Sequence, residues 1–163
     1  MTQPLLLLLD TNVWLDAFLP DRRRSQLARR VLALSQRVGA ELLYPVHIVS
    51  DVFYLCFIDV KRLLGAQYPA REELCAQAAR TTAWEYVNTM RELATAVGAD
   101  GSDVWLACKQ EYLHNDVEDN LVLAAAHRAK ADFLVTGDQQ LIAHATVPAL
   151  STEDRVAHLE AMA

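Results

Sequence analysis

The chain has 163 residues, 53% of them hydrophobic and 22% charged, and its formal net charge is −6. These values predict one domain, residues 1–163, with a substantial core, and the negative charge gives no global sign of a nucleic-acid-binding protein. Cys56, Cys75 and Cys108 are far apart in the sequence, as is typical of buried free thiols in a reducing compartment rather than of disulfides or a zinc cluster. Because no basic residue precedes the early leucine run and Asp10 ends it, we expect no signal peptide, no membrane span and a cytoplasmic location.

Strands and helices alternate along the chain. Five leucines, residues 5–9, lead into Asp10 and predict a strand buried on both faces, as in a parallel sheet. A helical stripe at residues 13–18 ends before Pro20, and a second stripe at 27–38 ends at Gly39. The remaining predicted elements are a strand at 42–44, helices at about 46–64 and from 71 to the low nineties, a strand at 95–97, helices at 101–114 and 117–129, a strand at 133–136, a short helix from 139, a strand at 147–150 and a helix from 151.

This alternation predicts an α/β fold, a single-domain three-layer α/β/α sandwich around a small, mostly parallel sheet. Asp10 follows the first strand, and Asp138 follows the strand at 133–136 by way of Gly137. Since the carboxyl ends of parallel strands meet at one edge of a sheet, where open α/β sheets bind their ligands, both aspartates are expected at a common site.

Other acids stand at the starts of predicted helices. Asp116 precedes one helix and Asp119 falls in its first turn, so the two resemble a capping box. Taken singly, Asp10, Asp116 and Asp138 are explained as well by helix capping, worth about 1 kcal/mol each, as by function.

Asp51 is different, because residues 42–58 contain no other Asp, Glu, Lys or Arg. An unpaired ionised carboxylate costs several kcal/mol when buried, so Asp51 needs a backbone amide, His47 or a cation. Converging carboxylates with no nearby cluster of His or Cys favour Mg²⁺ or Mn²⁺, most often for phosphate chemistry. On a helix, Asp51 is expected to be partly buried on a face shared with Ile48, Val52, Leu55 and Ile58.

Three segments resemble the signature segments of PIN-domain nucleases, and most closely those of the compact VapC-like ribonuclease toxins. They are Leu-Leu-Asp-Thr-Asn-Val-Trp-Leu-Asp at 8–16, Asp-x-x-Asp-Asn-Leu-Val-Leu-Ala-Ala-Ala at 116–126 and Ala-Asp-Phe-Leu-Val-Thr-Gly-Asp at 131–138. Their order and spacing match over most of the chain.

The resemblance implies an endoribonuclease that depends on Mg²⁺ or Mn²⁺. Its catalytic and metal-binding acids would be Asp10, Asp51, Asp119 and Asp138, with Asp116 as an auxiliary metal ligand and Asn12 and Thr136 as supporting residues. Asp51 stands where the family usually has a glutamate, one methylene longer. Asp16 also matches a common acidic position, but it lies more than a helical turn beyond Asp10 and is not assigned to the metal.

The resemblance also implies an RNA substrate, an antitoxin partner and a homodimer. Arg22, Arg23 and Arg24 form the densest basic run and are expected near the rim of the active site, either as RNA contacts or as a solvated helix start. Three aromatic residues could stack on bases, but their helical spacing among apolar residues favours the core. They are Trp84, Tyr86 and Trp105. None of the five histidines has the spacing of a catalytic pair.

Other functions fit the sequence less well. A phosphatase of the haloacid-dehalogenase type needs a second aspartate where Asn12 stands, and a phosphoryl-accepting receiver needs a lysine on its last strand, which residues 147–150 lack. A catalytically inactive PIN-like module for RNA binding or scaffolding is the non-enzymatic alternative. Retention of an acid at all four positions argues against it.

Overall fold

The computed structural model describes residues 3–163, so residues 1 and 2 of the predicted domain lie outside the described residues. Strands and helices alternate over this part of the chain. In order they are β1 Leu6–Leu9, α1 Thr11–Phe18, α2 Ser25–Val38, β2 Glu41–Pro45, α3 Ile48–Gln67, α4 Glu72–Leu93, β3 Thr95–Val97, α5 Gly101–Lys109, α6 Val117–Ala129, β4 Phe133–Val135, α7 Gln139–His144, β5 Ala149–Leu150 and α8 Thr152–Met162.

The five strands form one sheet in the order β3-β2-β1-β4-β5, and every pairing is parallel. Leu8 on the central strand is aligned with Leu43 of β2 and Leu134 of β4. Leu7, Leu8 and Leu9 are all completely buried, and since neighbouring side chains of a strand point to opposite faces, both faces of the sheet are covered. The predicted α/β fold is confirmed, with a sheet that is parallel throughout.

Helices supply the two covers of the sheet. Helix α2 packs against α1 and α8, whereas α6 contacts β2, β3 and β4 and also packs against α5. Trp14 of α1 is fully buried between Phe18 and the edge of Tyr44. Helices α3 and α4 form a long antiparallel hairpin that contacts the rest of the fold mainly through α1, β2 and β3.

Most predicted elements are present with shifted ends. Gly39 ends α2 in the left-handed conformation, with φ of 71°, as its position predicted. Helix α5 ends at Lys109 rather than at His114, and residues 110–116 form a series of turns instead. The amides of Leu113 and His114 both donate to the carbonyl of Gln110, which closes the chain into a turn.

Three surface predictions were wrong. The core side of α3 is formed by Ile48, Val52 and Cys56, four residues apart, so Leu55 and Ile58 are exposed and Asp51 is half-buried beside that side. Cys108 is exposed, in contrast to the buried thiols of Cys56 and Cys75. Trp84 and Trp105 are exposed as well, whereas Tyr86 stacks on Phe18. No helix within residues 3–163 is long and apolar enough to cross a membrane.

Candidate active site

Asp10 follows the central strand and caps α1, as the sequence predicted. Its Oδ1 accepts a hydrogen bond from the Thr11 amide at 2.7 Å, and its Oδ2 accepts one from the Thr136 hydroxyl at 2.7 Å. The carboxylate is almost completely buried, and burial raises its pKa from 3.8 to about 6, although the hydrogen bonds from Thr136 and Thr11 lower it. The negative charges of Asp119 and Glu118 raise it further. Asp10 is therefore a carboxylate whose ionised form is unfavourable in this place.

A closed network of hydrogen bonds joins the end of β1 to the end of β4. The Asn12 side-chain amide donates to Asp10 Oδ2 and to Thr136 Oγ1, and its Oδ1 accepts from the Gly137 amide at 2.7 Å. Thr136 Oγ1 also accepts from the Asp138 amide at 3.0 Å. Thr136 is fully buried and uses its one donor and both of its acceptor positions. Asn12 and Thr136 thus hold Asp10 in one orientation.

Asp116 caps α6 and places Asp119 at the same edge. Asp116 Oδ1 accepts from the amides of Glu118 at 2.9 Å and Asp119 at 3.3 Å. The capping box is only half formed, because Asp119 directs its Oδ2 to His114 Nε2. Burial raises the pKa of Asp119, the His114 hydrogen bond lowers it, and the charges of Asp116 and Asp138 raise it again.

His114 is a residue that the sequence did not single out. Its ring stacks against His144 with centroids 5.7 Å apart, and its backbone carbonyl accepts from the buried Asn120 side chain at 2.8 Å. An ionised carboxylate can only accept hydrogen bonds, so His114 Nε2 is the donor in this contact when Asp119 is ionised. The prediction that this segment is helical hid its role, since it is the turn after α5 that brings His114 back to α6.

Asp138 caps α7 through Oδ1, which accepts from the amides of Gln140 at 2.7 Å and Leu141 at 3.3 Å. Asp138 and Asp119 line one cavity of about 270 Å³ together with His114. The capping explanation for Asp10, Asp116 and Asp138 is therefore correct, and all three helix starts also place their acids at the same edge of the sheet.

Asp51 lies in the first turn of α3, and it does not line the cavity that Asp119 and Asp138 share. Burial lowers the pKa of His47 and raises that of Glu118, and the negative charge of Asp51 raises both. Among the described residues, His47 Nε2 has no hydrogen-bond partner, so this nitrogen forms no hydrogen bond with Asp51. Glu118 was not recognised in the sequence, although it lies between the two acids of the second signature segment.

The donor set suits a hard divalent cation, because all the acids at this edge offer oxygen. Within residues 3–163, however, no three His, Cys, Asp or Glu side chains are grouped as a ready-made metal cage. Both oxygens of Asp10 already accept hydrogen bonds, whereas Asp119 Oδ1 and Asp138 Oδ2 accept none from the described residues. The set therefore fits Mg²⁺ or Mn²⁺ held through one or two carboxylates and through water.

The basic run lies in a cavity next to one of the acids, Asp138. Residues 22–24 line a cavity of about 530 Å³ whose other walls include Asn12, Gly137 and Asp138. These arginines belong to the loop that precedes α2.

Residues 7–140 match the family model for the PIN domain, so the chain belongs to the PIN domain family. Members of this family are generally nucleases, and the match excludes the haloacid-dehalogenase and receiver alternatives. A search of curated proteins found no match to the sequence.

Two solved structures share the fold. The VapBC2 structure from Rickettsia felis, bound to a DNA fragment from its promoter, includes a chain that superposes with a TM-score of 0.60 and is 11% identical in sequence. A chain of FitAcB from Neisseria gonorrhoeae superposes with a TM-score of 0.55 at 14% identity. Each superposition covers 90% of this chain and 98% of the other. At this level of identity, the likeness shows the fold.

Proposed function

We propose that this PIN domain is a Mg²⁺- or Mn²⁺-dependent endoribonuclease that hydrolyses RNA phosphodiester bonds. Its catalytic and metal-binding acids are Asp10, Asp51, Asp119 and Asp138, and Asp116 is an auxiliary metal ligand. The main support is Asp10, a buried carboxylate with a pKa raised to about 6 that has further acids beside it. A cation that binds next to such a carboxylate stabilises its ionised form.

In this proposal, some residues orient the acids and others bind the ion. Asn12 and Thr136 orient Asp10, and His114 orients Asp119, so that their carboxylates need little rearrangement to hold the ion. Asp119 and Asp138 keep one oxygen each for the ion or for a water bound to it. When bound, a divalent cation would supply positive charge to the scissile phosphate and make water more acidic.

Cleavage and metal binding should be measured together. The purified chain is expected to cut a fluorescent RNA in Mg²⁺ or Mn²⁺ but not in EDTA, and calorimetry should detect the ion without RNA. Asp10→Asn is expected to stop cleavage while the far-ultraviolet circular dichroism stays unchanged. If the parent neither binds the ion nor cuts RNA, the nuclease proposal is wrong and a non-catalytic PIN module replaces it.

We further propose that the enzyme is the toxin of a toxin–antitoxin pair and acts in the cytoplasm as a homodimer. The structural neighbours VapBC2 and FitAcB support a protein partner. The α3–α4 hairpin supports it too, because Tyr54, Ile58 and Trp84 are large apolar residues on its surface. An inhibitor of this site would match its negative charge, so we expect it to place an arginine among Asp10, Asp119 and Asp138.

Expression in a bacterial host tests the toxin proposal. The parent chain is expected to arrest growth, whereas the same amount of Asp10→Asn should be harmless. Light scattering after size exclusion should give the mass of a dimer. Harmless expression of an active parent would indicate a housekeeping nuclease.

A further inference from the structure

The cavity beside Asp138 is lined by residues of both charges. Its volume is about 530 Å³, and it opens next to the hydrogen-bond network of Asn12 and Gly137. Its lining includes two acids, Asp16 and Asp138, and three consecutive arginines of the loop before α2. These are Arg22, Arg23 and Arg24.

Two of the three arginines are already engaged with the protein. Arg22 Nε donates to the buried carboxylate of Asp16 at 2.6 Å. Arg24 Nε donates to Glu153 Oε1 at 3.0 Å, and its guanidinium lies close against Gly137. These contacts fix the shape of the loop and neutralise part of its charge.

Arg23 differs from its neighbours. Its side chain is exposed, it lines the cavity, and it forms no ion pair within residues 3–163. We infer that Arg23 binds a backbone phosphate of the RNA next to the one at the acidic edge, an inference that rests on the proposed nuclease function. Arg22 and Arg24 hold the loop so that the Arg23 guanidinium is presented to the strand.

The charges that line the cavity indicate what kind of ligand it binds. An RNA strand with one phosphate at a cation near Asp138 has further phosphates along the same backbone. A guanidinium recognises such a phosphate through paired N–H donors. The net charge of −6 would otherwise repel an RNA, so a local basic contact is needed at this point. Since phosphate is common to all nucleotides, this contact positions the strand without reading its sequence.

The test compares Arg23→Gln with Arg37→Gln. Arg37 is exposed, loses the same charge on substitution, and lies at the other end of α2, about 20 Å from Arg24 along the helix. Both changes are made in the Asp10→Asn chain, which prevents cleavage, and binding of a fluorescent 12-nucleotide oligouridylate is measured by anisotropy over a series of KCl concentrations.

Arg23→Gln is expected to weaken binding about fivefold and to lower the slope of log Kd against log[KCl] by about 0.7, the value for one phosphate contact on a single strand. Arg37→Gln should match the Asp10→Asn chain. Equal binding by the two variants overturns the inference, and so does the absence of any binding. The parent chain is assayed for cleavage of the same RNA. If the parent cuts the RNA but the two variants bind it equally, only the role of Arg23 is wrong. If Arg23→Gln weakens binding but the parent does not cut the RNA, the nuclease proposal is wrong.

Discussion

The strand side and the helix side of the acidic edge are held in different ways. On the strand side, Asp10 accepts three hydrogen bonds within a network in which Thr136 uses all of its hydrogen-bonding capacity. On the helix side, Asp119 has one side-chain partner, His114, and Asp51 acts through its charge on neighbouring groups. The strand side is therefore set before any ligand arrives, whereas the helix side keeps oxygens free to adjust to one.

Removing the charge of Asp10, on the strand side, should have the largest effect on RNA cleavage. Asp10→Asn is expected to reduce RNA cleavage by at least about 100-fold, because an amide cannot neutralise a cation and places a donor where Asn12 and Thr136 already donate. Initial rates in Mg²⁺ measure this loss, with the Arg37→Gln chain as the control.

The same substitution should change how stability depends on pH. Asp10 has a folded pKa of about 6 against an ordinary value of 3.8, so between these values the folded state binds more protons than the unfolded state. The stability of the parent should therefore fall as pH rises from about 4 to about 6, by up to about 3 kcal/mol without metal. Asp10→Asn should lack this fall in urea unfolding in EDTA. If the free energy of unfolding depends on pH in the same way for both chains, burial does not destabilise the ionised form of Asp10.

On the helix side, Asp51 should show whether its charge or its length matters. Asp51→Ala is expected to remove most of the activity, about tenfold or more, whereas Asp51→Glu should keep or improve it because the family usually has a glutamate there. Calorimetric Mg²⁺ affinity should follow the same order. Cleavage by Asp51→Ala at the parent rate would make Asp51 a structural residue.

His114 should have a smaller effect, because it acts through Asp119. His114→Ala is expected to weaken Mg²⁺ binding about tenfold, and His114→Gln should restore part of it, since glutamine keeps a donor near Nε2. His127→Ala, at the far end of α6, is the matched control. If glutamine and alanine are equally defective, His114 serves the packing against His144 rather than Asp119.

Gly137→Ala should give the smallest effect. A Cβ there would meet Arg24 Nη1 and Asn12 Oδ1, each at 3.1 Å, so both side chains must shift. We expect a loss of about 1 kcal/mol in stability and a two- to threefold slower cleavage. Gly65→Ala is the control, since nothing lies within 4 Å of its Cβ and alanine favours a helix, so thermal denaturation should show a gain there. If both variants gain the same stability, Arg24 and Asn12 move aside at no cost in free energy.

The strand side was predictable from sequence because its signals are local. The leucine run predicts a buried strand, and residues that follow parallel strands lie at one edge of the sheet, so Asp10 and Asp138 could be placed together. Thr136 was predicted as a supporting residue only through the resemblance to the family. Gly39 and the helix starts at Asp116 and Asp138 followed from capping chemistry in the same way.

The helix side was not predictable to the same degree, because it depends on how helices pack. His114 reaches Asp119 through the turn after α5, and the chain there has the composition of a continuing helix. The charge of Asp51 on α3 raises the pKa of Glu118 on α6, and no spacing in the sequence reveals that these two residues influence each other. The exposure of Trp84 likewise reflects which side of α4 meets α3, and helical spacing alone does not choose that side.

Two ion pairs join α8 to α2 and to the loop before α2, and they affect how this protein can be shortened. The stretch that matches the family ends at residue 140, yet Glu153 holds Arg24, and Glu160 pairs with Arg30. A protein cut at the end of that match would also lose Leu159 from the core. Boundaries drawn by family similarity are thus not folding boundaries here, and a C-terminal fusion should leave α8 whole.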